Sequence, residues 1–166
     1  MKGILNHYLA GDHDRLDALL QQALARPGQI DRGLFGEFRK GLLRHIGMEE
    51  KVMLPEIARR QGGTPSPVAE RLRLDHGAIA ALLVPPPTPS TVATLLSILK
   101  VHNALEEQDG GVYQVLDSVV GPEAEEILRI LKSTPEVPVM PFNENPSVLE
   151  STRRAVERAG YTMVEM

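Results

Sequence analysis

The chain has 166 residues, of which 42% are hydrophobic and 24% charged, with a net charge of −4; this suits one domain, or one domain with a short appendage, built on a real apolar core. The absence of cysteine excludes disulfides, zinc fingers, iron–sulfur clusters and cysteine nucleophiles. A mildly acidic balance with no basic run makes a poor nucleic-acid surface, and no apolar run approaches the roughly 20 residues of a membrane span.

The start, Met1 to Gly11, carries one Lys and no continuous apolar stretch, so it does not read as a secretory signal, and a soluble cytoplasmic protein is expected. Proline and glycine then divide the chain into amphipathic segments. The first helix is expected over about 4–25, with Leu9, Leu16, Leu20 and Leu24 in line. The second runs from an Asp31 N-cap to about Arg60 along Phe35, Phe38, Leu42, Ile46, Met53 and Ile57, with Pro55 bending it or loosening one turn. The third starts with Ser66 as N-cap and Pro67 at the first helical position and ends near Val84; the Pro85–Pro89 run is a stiff linker. The fourth runs from a Ser90 N-cap to about Val120 through Leu95, Leu99 and Leu116, weakened at Gly110-Gly111. A short helix over Pro122–Lys132 and another over Ser147–Ala159 follow. No segment alternates with period two. The expectation is an all-α antiparallel up–down four-helix bundle over residues 1–133, with residues 134–166 as a C-terminal appendage of loop, short helix and tail packed on it.

Polar residues interrupt the apolar lines at matching places. His13 stands four after Leu9, His45 three after Leu42, His76 four after Leu72 and His102 three after Leu99; Glu49 and Glu106 follow their histidines by four, one turn further along the same face. Buried glutamates need partners, and no Lys or Arg lies on these lines. Metal ions supply the missing positive charge, and imidazole with carboxylate is a ligand set for iron, manganese or zinc. Six donors exceed one tetrahedral zinc, and two ions bridged by the two carboxylates would use them all. Glu50 and Glu107 flank the inward line, where they could accept hydrogen bonds from ligand imidazoles. Asp12 and Asp75, which precede a histidine in both repeats, are read as solvent-exposed in preference to orienting imidazoles, and His7 as a surface residue; Asp109 and Tyr113 continue the ligand line, with Tyr113 in the core and its hydroxyl able to reach a metal-bound oxygen.

The chain also repeats itself. Asp12-His13-Asp14-Arg15-Leu16 resembles Asp75-His76-Gly77-Ala78-Ile79, and His45-Ile46-Gly47-Met48-Glu49-Glu50 resembles His102-Asn103-Ala104-Leu105-Glu106-Glu107. The order His, His-x-x-x-Glu, His, His-x-x-x-Glu over about 1–120 resembles the hemerythrin-like (HHE cation-binding) family, in its bacterial four-His/two-Glu form. The resemblance implies an up–down bundle around a non-haem di-iron centre with His13, His45, Glu49, His76, His102 and Glu106 as ligands and the two glutamates bridging. The pattern departs from the oxygen-carrier branch. Ala80 replaces the second third-helix histidine of that branch, and Glu107 stands where it has an aspartate. None of the five histidines has a glutamate three residues before it, which argues against the ferritin-type arrangement.

The first functional reading is a protein holding two iron ions, with manganese or zinc as alternatives, that binds oxygen or a related small oxidant. A different class is an iron- or oxygen-responsive regulatory module that reports occupancy to a protein partner through the C-terminal tail. A third is an enzyme handling nitric oxide or peroxide, or delivering iron for iron–sulfur repair. The repair relatives usually carry a cysteine-bearing N-terminal segment, which weakens that last reading here.

Overall fold

In the computed structural model, which describes residues 2–166, every regular element is helical. The helices are α1 (Ile4–Ala23), α2 (Arg32–Met48), α3 (Leu54–Arg60), α4 (Ala69–Leu82), α5 (Pro89–Glu107), α6 (Val112–Val120), α7 (Ala124–Lys132) and α8 (Ser147–Arg158). None is long and apolar enough to cross a membrane.

The apolar side chains fall into two clusters, and their order along the chain gives the topology. Helix α1 passes from Leu5 and Leu9 in one cluster to Leu16 and Leu20 in the other, and α2 returns from Phe35, Phe38 and Leu42 to Met48. Helix α4 climbs from Leu72 to Ile79 and Leu82, and α5 descends from Val92, Leu95 and Ile98 toward Val112 of α6. The four helices therefore alternate in direction, as an up–down bundle requires. Each crosses from one cluster to the other at its histidine.

The second helical segment does begin after an Asp31 cap, whose carboxylate accepts from the Leu34 N–H at 3.0 Å. It is interrupted by a π-turn over Glu49–Met53, in which the Leu54 N–H bonds to the Glu49 carbonyl. Pro55 accounts for this turn. It has no N–H to close an α-turn, and its ring would crowd the Lys51 carbonyl, so the backbone widens by one residue.

Three boundaries differ from the sequence expectation. The third helix starts at Ala69 rather than Pro67, because Ser66 leads a separate turn closed by the Ala69 N–H on its carbonyl at 3.0 Å. The fourth is capped by Thr88, not Ser90. Thr88 and Thr91 form a reciprocal capping box, and Pro89 takes the first helical position, where its missing N–H costs nothing. The same helix does not run through to Val120. It stops at Glu107, Gln108 turns extended, and Gly110 takes φ +78° before α6 begins. Helix α1 has no side-chain cap of its own. Asp117 of α6 supplies one, accepting from the N–H groups of Gly3, Leu5 and Asn6 at 2.8, 3.0 and 3.1 Å.

The last helix, α8, lies along α4. Val156, Ala159 and Met163 are buried in the same cluster as Ile79 and Leu82. Thr152 Oγ1 donates to the Ala81 carbonyl at 3.1 Å, and the Val164 N–H donates to Thr94 Oγ1 at 2.8 Å. The preceding loop is held by Arg39, which donates to the Met140 carbonyl at 2.8 Å and lies over the Phe142 ring.

Candidate metal centre

All six candidate ligand residues converge on the boundary between the two apolar clusters. His13, His45, His76 and His102 are buried there, and Glu49 and Glu106 are fully so. They form two four-residue cages, His13–His45–Glu49–Glu106 and Glu49–His76–His102–Glu106, each with its donor atoms within 4.8 Å of one another. The glutamates are common to both. Every Nε2 faces a glutamate oxygen: His13 to Glu106 at 3.4 Å, His45 to Glu49 at 3.6 Å, His76 to Glu49 at 3.1 Å and His102 to Glu106 at 3.3 Å.

The other nitrogen of each ring is held from behind by a carboxylate. His45 Nδ1 donates to Asp12 at 2.8 Å and His102 Nδ1 to Asp75 at 3.1 Å. His13 Nδ1 donates to Glu107 at 2.8 Å and His76 Nδ1 to Glu50 at 2.8 Å. Each aspartate thus serves the next helix of its own repeat, and each flanking glutamate serves the other repeat. The expectation that Asp12 and Asp75 face solvent is corrected here, since both are buried. Arginines outside them, Arg15 at 2.9 Å from Asp12 and Arg71 at 2.7 Å from Asp75, share their charge. A signal for this was present, because each aspartate stands three residues after an inward leucine, Leu9 or Leu72, in both repeats. His7 is exposed as expected. Asp109 is exposed too and leaves the ligand line, because α5 has already ended at Glu107. Tyr113 is fully buried, and its hydroxyl lies against all four members of the first cage.

The sequence model of the hemerythrin HHE cation-binding domain matches residues 5–110. The chain belongs to the hemerythrin HHE cation-binding domain family. No curated protein and no solved structure matches it.

The charge distribution of this HHE domain asks for a cation. Among the described residues, imidazoles are the only groups that can bring positive charge to Glu49 and Glu106; the other neighbour of both is the neutral Tyr113 hydroxyl. With Nδ1–H committed to a carboxylate, a neutral imidazole turns a lone pair on Nε2 toward the lone pairs of a carboxylate. Something positive must stand between them, either a proton on Nε2 or a metal ion. Without a metal it is the proton. Burial, the largest influence on His45 and His102, disfavours their charge. Facing Glu49 and Asp12, and Glu106 and Asp75 respectively, outweigh it and carry both pKa values up to about 10. Burial likewise opposes charge on His13 and His76, yet their carboxylate partners raise both. Burial pushes Glu49 up, but the imidazoles around it, His45 first, hold it well below the usual carboxylate range. Glu106 Oε2 is buried and makes no hydrogen bond, although His102 Nε2 faces it at 3.3 Å. Imidazole nitrogens oriented by carboxylates and two shared glutamates, one with an orphaned oxygen, fit a metal-binding helical domain.

An apolar cavity of about 210 Å³ reaches the His13 ring, walled by Leu16, Leu20, Phe38, Leu42 and Leu99, with the exposed Asp17 and Lys100 also along it. It is sized for a small molecule.

Proposed function

We propose that this HHE domain is a non-haem di-iron protein that binds oxygen or a related small oxidant. His13 and His45 would hold one ion, His76 and His102 the other, and Glu49 and Glu106 would bridge them. The observation that carries the reading is the doubled cage, four Nε2 atoms aimed at two shared, fully buried carboxylates. Bound iron would supply a reversible change of oxidation state and a place for a small oxidant. The residues supply the rest. Asp12, Asp75, Glu50 and Glu107 fix the ring orientations and keep Nε2 free for an ion. The leucine and phenylalanine wall keeps water scarce, which strengthens electrostatic interactions inside the cages. The His13 cavity offers an apolar molecule a way in. The six-residue ligand set and residues 1–133 as the metal-binding unit belong to this proposal.

The test is metal analysis of protein loaded anaerobically with ferrous iron, followed by exposure to oxygen. Two iron per chain and an oxygen-dependent visible spectrum are expected. Absence of iron uptake would overturn the reading, and uptake with no response to oxygen would remove the oxidant from it.

One observation favours the regulatory reading as a second. Asp75, which orients His102, is bound by Arg71, and the same guanidinium donates to the Ala159 carbonyl and stands over the Tyr161 ring. Occupancy of the second cage would in this way be felt by the C-terminal segment. Hydrogen exchange of residues 145–164 with and without iron tests it: a difference in protection supports a tail-reporting module, and identical exchange removes it.

A further inference from the structure

The Tyr113 hydroxyl has more polar neighbours than a hydroxyl can satisfy. Glu49 Oε2 lies at 2.8 Å, His45 Nε2 at 2.9 Å, His13 Nε2 at 3.0 Å and Glu106 Oε1 at 3.3 Å. One proton and two lone pairs serve three partners at most, and the single proton cannot go to both carboxylates. The neighbours are also not a random set. They are the four members of the first cage, and each meets Tyr113 through the atom that would face a cation.

Donors on one small cation, each about 2.0–2.2 Å from it and at right angles, stand about 2.8–3.1 Å apart. The Tyr113 oxygen keeps nearly that separation from all four. It therefore stands where a fifth donor would stand. A hydroxyl kept only as a hydrogen-bond donor to Glu49 needs no approach to the two imidazoles and Glu106.

We infer that Tyr113 is a ligand, through its phenolic oxygen, of the cation in the His13–His45 cage. The inference rests on the di-iron reading and deepens it. When the oxygen–cation bond forms, the phenolic proton leaves for bulk water along with the protons displaced from the imidazoles. Among the described residues the second cage has no such group; its donors are His76, His102, Glu49 and Glu106. The two cations are thus inequivalent although the repeat that holds them is nearly symmetric. Tyr113 lies on α6, beyond the last paired stretch of the repeat, so the internal symmetry does not require a counterpart.

The test is spectroscopic. A phenolate on ferric iron produces a ligand-to-metal charge-transfer absorption in the visible range and resonance-enhanced tyrosine ring vibrations. Wild-type protein loaded with iron and oxidised is expected to show both. Tyr113→Phe, which keeps the buried ring, is expected to lose both while still binding two iron per chain. The chain has three tyrosines, so Tyr8→Phe and Tyr161→Phe serve as controls and keep the signal. Iron-loaded wild type without tyrosine modes would overturn the inference and leave the di-iron reading standing. Tyr113→Phe that keeps the signal would do the same. If wild type takes up no iron, the di-iron reading itself fails and the inference falls with it. Should Tyr113→Phe misfold, isotope labelling of tyrosine in the wild-type protein decides, since the enhanced modes must shift.

Discussion

At the scale of single residues, proton and metal compete for the same Nε2 atoms, and this gives the cation-free and loaded proteins opposite responses to pH. His45 and His102 rise from the ordinary histidine value of 6.5 to about 10 in the folded, cation-free protein. The folded state therefore holds protons that the unfolded chain has released. Their contribution to stability is complete below pH 6.5 and is lost as pH rises toward 10. Thermal unfolding of metal-free protein from pH 6 to 10 should show a steadily falling midpoint. Over the same window the apparent affinity for ferrous iron should rise, because fewer protons must be displaced. A flat midpoint would mean that the imidazoles are neutral and the carboxylates balanced in another way. A second prediction concerns Asp75. Asp75→Asn keeps an acceptor near His102 but removes the charge that stabilises a cationic or metal-bound ring. Iron affinity should fall by about 10–100-fold, read by competitive titration with a chelator. The six inward His and Glu residues were legible in the sequence, since a charged group on an apolar helical line is costly without a partner. Asp12 and Asp75 were misread, because a polar residue beside a histidine in sequence normally points elsewhere on the helix. Each serves a ring on a different helix, a pairing that only the packed bundle creates.

At the scale of elements, proline and glycine decide where helices deform, and the sequence showed the positions better than the outcomes. Pro55 widens one turn into a π-turn without ending the helix. Glu49 opens this π-turn while keeping its α-helical spacing from His45. Gly110-Gly111 was read as a weak point within a helix, yet it ends one helix and starts another. The physical reason is that Gly110 adopts φ +78° and that a Cβ on Gly111 would stand 2.7 Å from the Glu106 carbonyl oxygen. This junction is what turns Tyr113 into the first cage. Gly110→Ala should cost about 1–2 kcal/mol from the left-handed backbone alone, measured by urea unfolding. Gly111→Ala should cost more, because the obstructing atoms are backbone and cannot rotate away, and it should disturb any spectral signal that depends on Tyr113. Equal stability of both variants and wild type would show that the junction is soft. The N-cap shift from Ser90 to Thr88 has the same character: the reciprocal Thr88–Thr91 bonds placed the start two residues before the serine.

At the scale of the whole molecule, the C-terminal segment is continuous with the core. Val156 is fully buried against the α4 side of the bundle, a burial worth on the order of 1.5–3 kcal/mol, and Ala159 and Met163 extend it. Ending the chain at Ser133 should lower the unfolding midpoint. It should also weaken the second iron more than the first, because Arg71 then loses Ala159 and holds Asp75 less firmly. Two-step iron titration of the truncated protein checks this, and equal weakening of both steps would uncouple the tail from the second cage. Helices were readable here from periodicity alone, but the place where α8 docks was not, since short amphipathic helices offer several compatible faces.

The crossed arrangement of Glu50 and Glu107 has a consequence for how such a molecule could have begun. A hairpin equivalent to α1–α3 carries His13, His45 and Glu49, but the carboxylate that steadies His13 comes from the other hairpin, and its own Glu50 reaches across to a ring it does not contain. One hairpin is therefore an unfinished half whose loose ends match those of its copy. Two identical hairpins related by a two-fold axis would satisfy each other, so the present chain has the form of a duplicated and fused homodimer. Expressed apart, the two halves should find each other again, and neither should hold iron alone.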